Sequence, residues 1–386
     1  MPLRVLVAGV STRAAAESAA RAGFAVTAID AFADLDQHPS VQAHSLQDTF
    51  SPDAASRLAA TIECDAVAYG SNYENHPDAV IRLARGRALW GNAPDVLERV
   101  RDPLLLTQTL RRRGCAAPDV HDESRILRPE SPHHRAWLVK PRASGGGHRV
   151  RLWRRGARVP RGCYLQEFVE GTPGSVVFVA AGGRAVPLGV SRQLIGEEPF
   201  GASGYQYCGN ILGAASPGDA AACALADAVC GEFGLVGVNG IDFVAKQGVP
   251  YAVEVNPRWC ASMELVERAF GLSVFGAHAA ACRDGVLPDF DLARARCAAG
   301  AVGKAVVFAL HDVAVGDTHA WLPEADRART SGVRDVPHPG ARIRAGRPVC
   351  TVFATARDEA ECHASLVRHA ERVYAELTRD RPPGML

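Results

Sequence analysis

Three side chains that can offer oxygen atoms to a cation lie close together in the sequence. They are Asp242, Glu254 and Asn256, on two apolar runs that flank a Gln247-Gly248 turn. Two such runs around a short turn predict a β-hairpin. Since side chains two residues apart on a strand point to the same face, Glu254 and Asn256 project together.

The length of the turn decides whether Asp242 joins them. A three-residue connection, Gln247 to Val249, pairs residue 242 with residue 254, with Cβ atoms roughly 5 Å apart. A two-residue connection pairs 242 with 253 and puts the carboxylates on opposite faces. We expect the first register, which gives an all-oxygen site suited to Mg²⁺ carried on nucleotide phosphates. The alternative is a sheet with one solvated face, along which polar residues alternate for that reason alone.

A lysine and a glycine-rich loop follow each other upstream of the hairpin. The run from Trp137 to Lys140 predicts a strand, and Ser144, Gly145, Gly146, Gly147 and His148 follow it. Glycines let backbone N–H groups approach an anion, and the lysine adds a mobile positive charge. The loop is not a Walker A motif, because no Lys-Ser/Thr pair follows the glycines. An ordinary flexible loop is the alternative.

A third segment contains Gln166, Glu167, Phe168 and Val169, where a predicted strand runs into a turn. Alone it is an ordinary sheet edge. The order of the three segments, however, resembles the ATP-grasp superfamily over most of the chain. The resemblance is to its carbamoyl-phosphate-synthase- and biotin-carboxylase-like members, and to the subgroup called predicted ATP-dependent carboligases.

The resemblance implies a role for each motif residue. Lys140 would contact the α- and β-phosphates of ATP, and the loop from Ser144 to His148 would close over the phosphates as a lid. The backbones of Glu167 and Val169 would meet the adenine edge, with Gln166 and Phe168 around the ring. The remaining roles concern the reaction: Asp242, Glu254 and Asn256 would hold one or two Mg²⁺ ions, for which Mn²⁺ is a substitute, and Arg258 would face the transferred phosphoryl group.

The chain departs from the family at one position. The segment Arg101-Asp102-Pro103 matches a family segment that often begins Asp-Lys, so Pro103 stands where a phosphate-binding lysine is common. Two outcomes follow from this difference. Nearby arginines replace the lysine, or the nucleotide is held more loosely.

Other residues are candidates for contacts with the substrate. Tyr73, Glu74 and Asn75 follow a predicted strand, in a loop at the carboxyl end where α/β sheets bind ligands. An ordinary polar turn is the alternative. Arg192 lies on a predicted strand approaching the site, and its guanidinium group matches a carboxylate or a phosphate bidentately. Its alternative role is a surface ion pair.

The expected fold class is α/β and α+β, with an ATP-grasp fold. We expect a Rossmann-like pre-ATP-grasp domain over residues 1–98 and an ATP-grasp domain over 99–288. The latter divides into a lid subdomain, about 103–165, and a metal-binding subdomain, about 166–288. A β-rich region with a terminal helix covers 289–386. A dinucleotide site near Asp30 is disfavoured, because the first glycine loop lacks the G-x-G-x-x-G spacing.

Composition narrows the function classes. The net charge of +1 argues against nucleic-acid binding, which needs a basic domain or stripe. Eleven cysteines without a C-x-x-C pair favour a reducing cytoplasm. The N-terminal apolar run is too short for a signal peptide, and no run approaches the roughly 18 apolar residues of a membrane span.

The expected function is therefore that of an ADP-forming carboxylate–amine ligase that works through an acyl-phosphate. Its cofactors are ATP and Mg²⁺, and its partners are a small-molecule acid and amine. The resemblance allows a homodimer, and it suggests methanopterin- or methanofuran-type cofactor synthesis or peptide-like products. The alternatives are an ATP-grasp kinase and a nucleotide-binding regulator without turnover.

Overall fold

The N-terminal part of the chain alternates short strands with helices. The computed structural model describes residues 1–122, 135–216, 218–297, 300–322 and 332–379. The first elements are β1 (Arg4–Ala8), α1 (Arg13–Arg21), β2 (Ala25–Asp30), β3 (Val41–Ser45), α2 (Pro52–Ala59), β4 (Ala66–Tyr69), α3 (Pro77–Leu83), β5 (Ala88–Trp90) and α4 (Pro94–Val100).

The central part combines antiparallel strands with four helices. Its elements are α5 (Pro103–Arg112), β6 (Val120–Asp122), β7 (Trp137–Pro141), β8 (Arg151–Leu152), β9 (Cys163–Glu167), β10 (Thr172–Ala181), β11 (Arg184–Ile195), β12 (Tyr207–Leu212), α6 (Asp219–Phe233), β13 (Gly237–Lys246), β14 (Val249–Asn256), α7 (Met263–Phe270) and α8 (Val274–Asp284).

The C-terminal part is rich in strands and ends in a long helix. Its elements are α9 (Leu292–Arg296), β15 (Ala301–Phe308), β16 (Val313–Ala314), β17 (Gly332–Arg334), β18 (Arg342–Ile343), β19 (Pro348–Ala356) and α10 (Glu359–Arg379). The terminal helix expected from the apolar periodicity therefore forms. Leu366, Ala370 and Val373 of α10 are buried in the apolar cluster that also contains Ala305 of β15 and Val352 of β19.

The N-terminal sheet is parallel and is covered on both faces. Its strand order is β3-β2-β1-β4-β5. Leu6 and Ala8 of β1 pack with α2 and α3 on one face. Val5 and Val7 pack on the other face with α1 and with Phe275 of the distant α8. Asp30 accepts hydrogen bonds from the Thr12 backbone and hydroxyl groups, at 3.1 and 2.8 Å, so its carboxylate stabilises the first loop.

One sheet runs through the central and C-terminal parts of the chain. It has eight strands in the order β14-β13-β10-β11-β12-β15-β19-β17. Strand β12 pairs antiparallel with β15, which carries the sheet across the division that we expected near residue 289. The expected β-rich tail is therefore an extension of the sheet that holds the hairpin.

A smaller sheet, in the order β6-β9-β7-β8, lies over the large one. It carries Lys140 on β7 and Glu167 on β9. The expected lid subdomain, about 103–165, includes residues 123–134, which lie outside the described residues, and its expected end falls within β9. Among the described residues, no helix has both the length and the apolar character that a membrane crossing requires.

Candidate functional site

A cavity of about 490 Å³ lies between the small sheet, the hairpin of β13 and β14, and the N-terminal sheet. Its volume is in the range of small-molecule sites, about 300–1,000 Å³. The structure brings together at this cavity most of the residues selected from the sequence, namely Lys140, Ser144, Gly145, Gly146, Gly147, Gln166, Glu167, Phe168, Val169, Asp242, Glu254, Asn256 and Arg258.

The hairpin reaches the expected pairing by an unexpected route. Lys246 pairs with Val249, so the connection has two residues and not three, and the expected turn length is wrong. The register shifts between Asp242 and Phe243, which leaves Val253 as a bulge and pairs Asp242 with Glu254. A β-bulge places two residues of one strand opposite one residue of the other, and so changes which side chains face the cavity.

Asp242 is held by two amide side chains. Its carboxylate accepts hydrogen bonds from Asn256 Nδ2 and from Gln193 Nε2, both at 2.9 Å. Burial, followed by the neighbouring charge of Glu254, raises the pKa of Asp242 to about 6. Such a carboxylate pair is stabilised by a cation, which opposes the mutual repulsion of the two groups.

Glu254 has the opposite balance. Burial alone would raise its pKa, but the positive charges of Arg101 and Lys140 outweigh this effect, and the pKa is lowered. Within the described ranges, no group of three or more His, Cys, Asp or Glu side chains is arranged to hold a metal by itself. Asp242, Glu254 and the amide oxygen of Asn256 instead suit a hard cation such as Mg²⁺ whose other ligands are phosphate oxygens of the nucleotide.

Lys140 and the glycine loop border the cavity near this cluster. Lys140 Nζ donates to Gln166 Oε1 at 3.2 Å and to the Val253 carbonyl at 3.4 Å, so the bulge of the hairpin also positions the lysine. Gly147 has a φ of 75°, and a Cβ atom there would lie 1.7 Å from the Tyr205 carbonyl oxygen. Glycine is therefore required at this point of the loop.

The end of β9 is tied to the residues that directly precede β6 and β7. Glu167 donates its backbone N–H to the Asp119 carbonyl at 2.8 Å, and its carboxylate accepts from the Asp119 N–H at 3.1 Å. Phe168 donates to the Ala136 carbonyl at 2.8 Å. These bonds hold the backbone of the segment fixed where it borders the cavity.

Arg101 is a residue whose role the sequence did not reveal. Its guanidinium donates to Glu254 Oε1 at 2.5 Å and to the Val255 carbonyl at 3.1 Å. It also donates to Asn75 Oδ1 at 3.1 Å and to the Ser144 carbonyl at 3.2 Å. Burial alone would lower its pKa, but the charges of Glu254 and Glu74 and the hydrogen bond to Glu254 together outweigh burial, and the pKa is raised. Arg101 thus links the hairpin, the glycine loop and the N-terminal region.

Arg258 lies where the hairpin leaves the sheet. Its Nε donates to Glu74 Oε1 at 2.9 Å, and its Nη2 donates to Asn256 Oδ1 at 3.0 Å. Burial would lower the pKa of Arg258, but the charge and hydrogen bond of Glu74, together with the charges of Cys260 and Glu254, outweigh this effect, and the pKa is raised. The guanidinium group is therefore fixed in its charged form beside the metal-type cluster, defined here as Asp242, Glu254 and Asn256.

The three loop residues selected as substrate contacts behave differently. Tyr73 is fully buried in the core of the N-terminal sheet, with its hydroxyl 3.2 Å from the Pro52 carbonyl, so its selection was wrong. Glu74 and Asn75 do not line the cavity, and they hold Arg258 and Arg101 instead. The loop reaches the cavity through Gly70 and Ser71.

Arg192 points away from the cavity, and its selection as a catalytic residue was also wrong. Side chains alternate along a strand, and its neighbours Ser191 and Gln193 face inward. Arg192 lies 3.4 Å from Glu359 and 3.8 Å from Glu197, with about 30% of its side chain exposed. It forms the surface ion pair that was the alternative.

Further polar residues of the cavity, on β12 and β15, were missed because no motif marks them in the sequence. Asn210 Nδ2 donates to Ser191 Oγ at 2.9 Å, and Tyr207 bonds to Asn210. Lys304 is buried and donates to Glu264 Oε2 at 2.8 Å. The alternation of Ser191 and Gln193 around Arg192 was the available signal for this inner face of β11.

Residues 100–262 match a family model described as an ATP-grasp domain. No curated protein sequence matches the chain. Many solved structures share its fold, at identities that show the fold alone.

Three of these structures illustrate the similarity. A pyruvate carboxylase of Rhizobium etli has a TM-score of 0.74 and 15% identity, over 95% of this chain and 37% of that longer one. The biotin carboxylase domain of Hydrogenobacter thermophilus 2-oxoglutarate carboxylase, with MgADP and bicarbonate, has a TM-score of 0.72 and 15% identity. The match covers 92% of this chain and 87% of that one. An L-amino acid ligase of Bacillus licheniformis has a TM-score of 0.69 and 15% identity, over 96% of this chain and 97% of that one. The chain has the ATP-grasp fold, and its residues 100–262 match the family model of an ATP-grasp domain.

Proposed function

We propose that this protein is an ATP-dependent, ADP-forming ligase that joins a carboxylate to an amine through an acyl-phosphate. The observation that carries the proposal is one cavity lined by Lys140, the glycine loop, the Asp242–Glu254–Asn256 cluster and Arg258. The family match over residues 100–262 supports nucleotide binding there. Related folds include a protein named as an L-amino acid ligase and one holding MgADP and bicarbonate.

In the first step, an oxygen of the acid attacks the γ-phosphorus of ATP, the bond to the β,γ-bridging oxygen breaks, and ADP leaves. In the second step, the amine nitrogen attacks the acyl carbon, the bond to the phosphate oxygen breaks, and the amine loses a proton. Phosphoryl transfer needs mainly positioning and cationic charge, and no nucleophilic side chain.

Each part of the cavity has a task in this scheme. Lys140 and the loop amides bind the phosphates, and Glu167 to Val169 border the adenine. Asp242, Glu254 and Asn256 hold Mg²⁺, which neutralises charge on the phosphates when it is bound. Arg258, fixed by Glu74, orients the acid and stabilises the charge that develops on the transferred group.

The remaining assignments belong to the same proposal. Residues 1–98 close the cavity on the substrate side, 99–288 bind nucleotide and metal, and 289–386 complete the sheet. All eleven cysteines are free, which fits a reducing cytoplasm. The proposal also includes Mn²⁺ as a substitute for Mg²⁺ and a homodimeric assembly. It assigns the protein to the synthesis of methanopterin- or methanofuran-type cofactors or of peptide-like products.

The proposal is tested by measuring ADP and phosphate release from the purified protein with MgATP and pooled acids and amines. We expect release only when an acid and an amine are present together. Glu254→Ala and Asn256→Ala should abolish it, whereas Arg192→Ala, outside the cavity, should retain it. ADP release without a hydroxylamine-trappable acyl-phosphate would indicate a kinase. Nucleotide binding without turnover on any pool would indicate a regulator.

A further inference from the structure

The cavity extends beyond Arg258 into an apolar recess, defined here by Val7, Ala15, Ala68, Trp259 and Phe275. Val7, Ala15, Ala68 and Phe275 belong to one buried cluster, and Trp259 packs against it. The same five residues line the cavity, so the recess is an indentation into this cluster. The recess lies against α1, β1 and β4, on the side of the N-terminal sheet. The residues proposed to bind the nucleotide, such as Lys140 and Glu167, lie on β7 and β9 instead.

The recess opens next to the reactive part of the site. Trp259 follows Arg258 directly and is three residues after Asn256. The Trp259 ring lies 6.4 Å from the ring of Phe275, centroid to centroid, at an angle of 40°. A substrate whose carboxylate lies at Arg258 therefore has the Trp259 wall of the recess beside it.

The walls of the recess carry little charge. His278, which also lines the cavity, is buried, and burial lowers its pKa to about 4, so it is neutral at physiological pH. Its Nδ1 accepts a hydrogen bond from the Val238 N–H at 3.0 Å. The charged residues Arg13, Asp335 and Lys304 also line the cavity, but Arg13 pairs with Asp335 and Lys304 pairs with Glu264. An apolar substituent in the recess would leave water for an apolar surface.

We propose that the recess binds the side chain of the acid substrate, and that this acid is an amino acid, or a close analogue, with a bulky apolar side chain. The proposal rests on the proposed ligase function and adds the substrate class to it. The carboxylate lies at Arg258, and the apolar side chain packs against the wall of the recess that Trp259 and its apolar neighbours form.

The test uses hydroxylamine as the amine, so that the natural amine need not be known. The purified protein is incubated with MgATP and one acid at a time, from glycine through alanine, valine, leucine and phenylalanine to glutamate and lysine. Hydroxamate and ADP are measured together. We expect leucine and phenylalanine to be preferred over glycine and glutamate by roughly tenfold or more, the discrimination that apolar pockets give.

Two variants of strand β4 form a matched pair. Ala68→Val adds two methyl groups inside the recess, and we expect a loss of roughly tenfold or more in kcat/KM for the bulky acids, with little change for glycine. Ala66→Val adds the same volume on the same face of β4, in the same cluster but away from the cavity lining, and should leave the preference unchanged. Thermal unfolding establishes that both variants fold.

Binding is measured separately from turnover, by the rise in Tm that each acid causes in wild type and Ala68→Val. Turnover with no preference for apolar side chains, or a uniform loss in Ala68→Val, would overturn the recess assignment and leave the ligase intact. A rise in Tm with leucine or phenylalanine that Ala68→Val abolishes, without hydroxamate, would support the recess and overturn the ligase. Neither binding nor turnover would overturn both.

Discussion

Arg101 and Arg192 show how little residue type alone says about a functional role. Both are arginines within segments that the sequence places close to the site. Arg101 contacts a candidate metal ligand and the glycine loop, while Arg192 contacts surface carboxylates. The role of Arg192 follows from the alternation of side chains along its strand, whereas the role of Arg101 follows from tertiary packing. The first is readable in the sequence, and the second is not.

We expect Arg101→Ala to raise KM for MgATP by about 10- to 100-fold, because hydrogen bonds from a charged group are worth about 1.5–3 kcal/mol. The variant also removes a charge that lowers the pKa of Glu254. Arg101→Lys should recover only part of the lost affinity for MgATP, since a lysine ammonium group cannot replace the several diverging hydrogen bonds of the planar guanidinium group. Steady-state kinetics with varied MgATP measures both.

Arg192→Ala is the control, with an expected change of less than about twofold, since exposed ion pairs contribute about 0.2–1 kcal/mol. Equal effects of the two alanine variants would contradict the distinction between the arginines. A KM in Arg101→Ala that equals wild type would remove Arg101 from the nucleotide site.

At the scale of elements, the hairpin shows why the metal-type cluster was predictable and its turn was not. Gln247 and Gly248 have φ values of 52° and 80°, as a two-residue turn requires, yet glutamine is not a preferred residue there. Ala252 and Val255 both face the core with Ile241 and Phe243. Unbroken alternation cannot place residues three apart on one face, so the bulge at Val253 satisfies the core and the site together.

We expect Gln247→Asn to stabilise the protein by up to about 1 kcal/mol, part of the roughly 1–2 kcal/mol that a left-handed conformation costs most residues. Asparagine adopts this conformation more readily. Gln247→Val, with a β-branched side chain, should destabilise by a similar amount. Denaturant titration measures both, and MgATP kinetics should not change because the turn is exposed. A loss of stability in Gln247→Asn would argue against this turn conformation.

At the scale of the molecule, Arg13 joins the three parts of the chain. It is fully buried on α1, 3.1 Å from Glu17 and 3.6 Å from Asp36 in the N-terminal part. It also lies 3.0 Å from Glu264 of α7 and 2.6 Å from Asp335 beyond β17. Burial would lower the pKa of Arg13, but these carboxylates outweigh burial and the pKa is raised well above its usual range.

Arg13→Met should lower the free energy of unfolding by about 3–5 kcal/mol, because it leaves several buried carboxylates without their cation. Arg4→Met is the comparison, since Arg4 is half exposed and pairs with Glu63 and Asp65, and it should cost less than about 1 kcal/mol. Denaturant unfolding at neutral pH gives both values. A small effect of Arg13→Met would mean that the junction does not depend on this arginine.

Much of the architecture was readable from local patterns, and what was missed depends on distant partners. The run from Trp137 to Lys140 forms strand β7, and the terminal helix forms as α10, as the local patterns predict. The pairing of β12 with β15 joins residues about ninety positions apart, and no local pattern encodes it. The burial of Tyr73 likewise depends on packing with α2 and α3, which its polar neighbours in the sequence conceal.

The continuous eight-stranded sheet also bears on how such a chain can be divided or recombined. The matched segment ends at residue 262, but β12 within it borders on β15, and β15 on β19, which ends at Ala356. A fragment cut at residue 262 would leave β12 as an open edge and expose the apolar cluster beneath α10, a combination that promotes self-association. The module that can be exchanged between proteins is therefore longer than the segment by which the sequence is recognised.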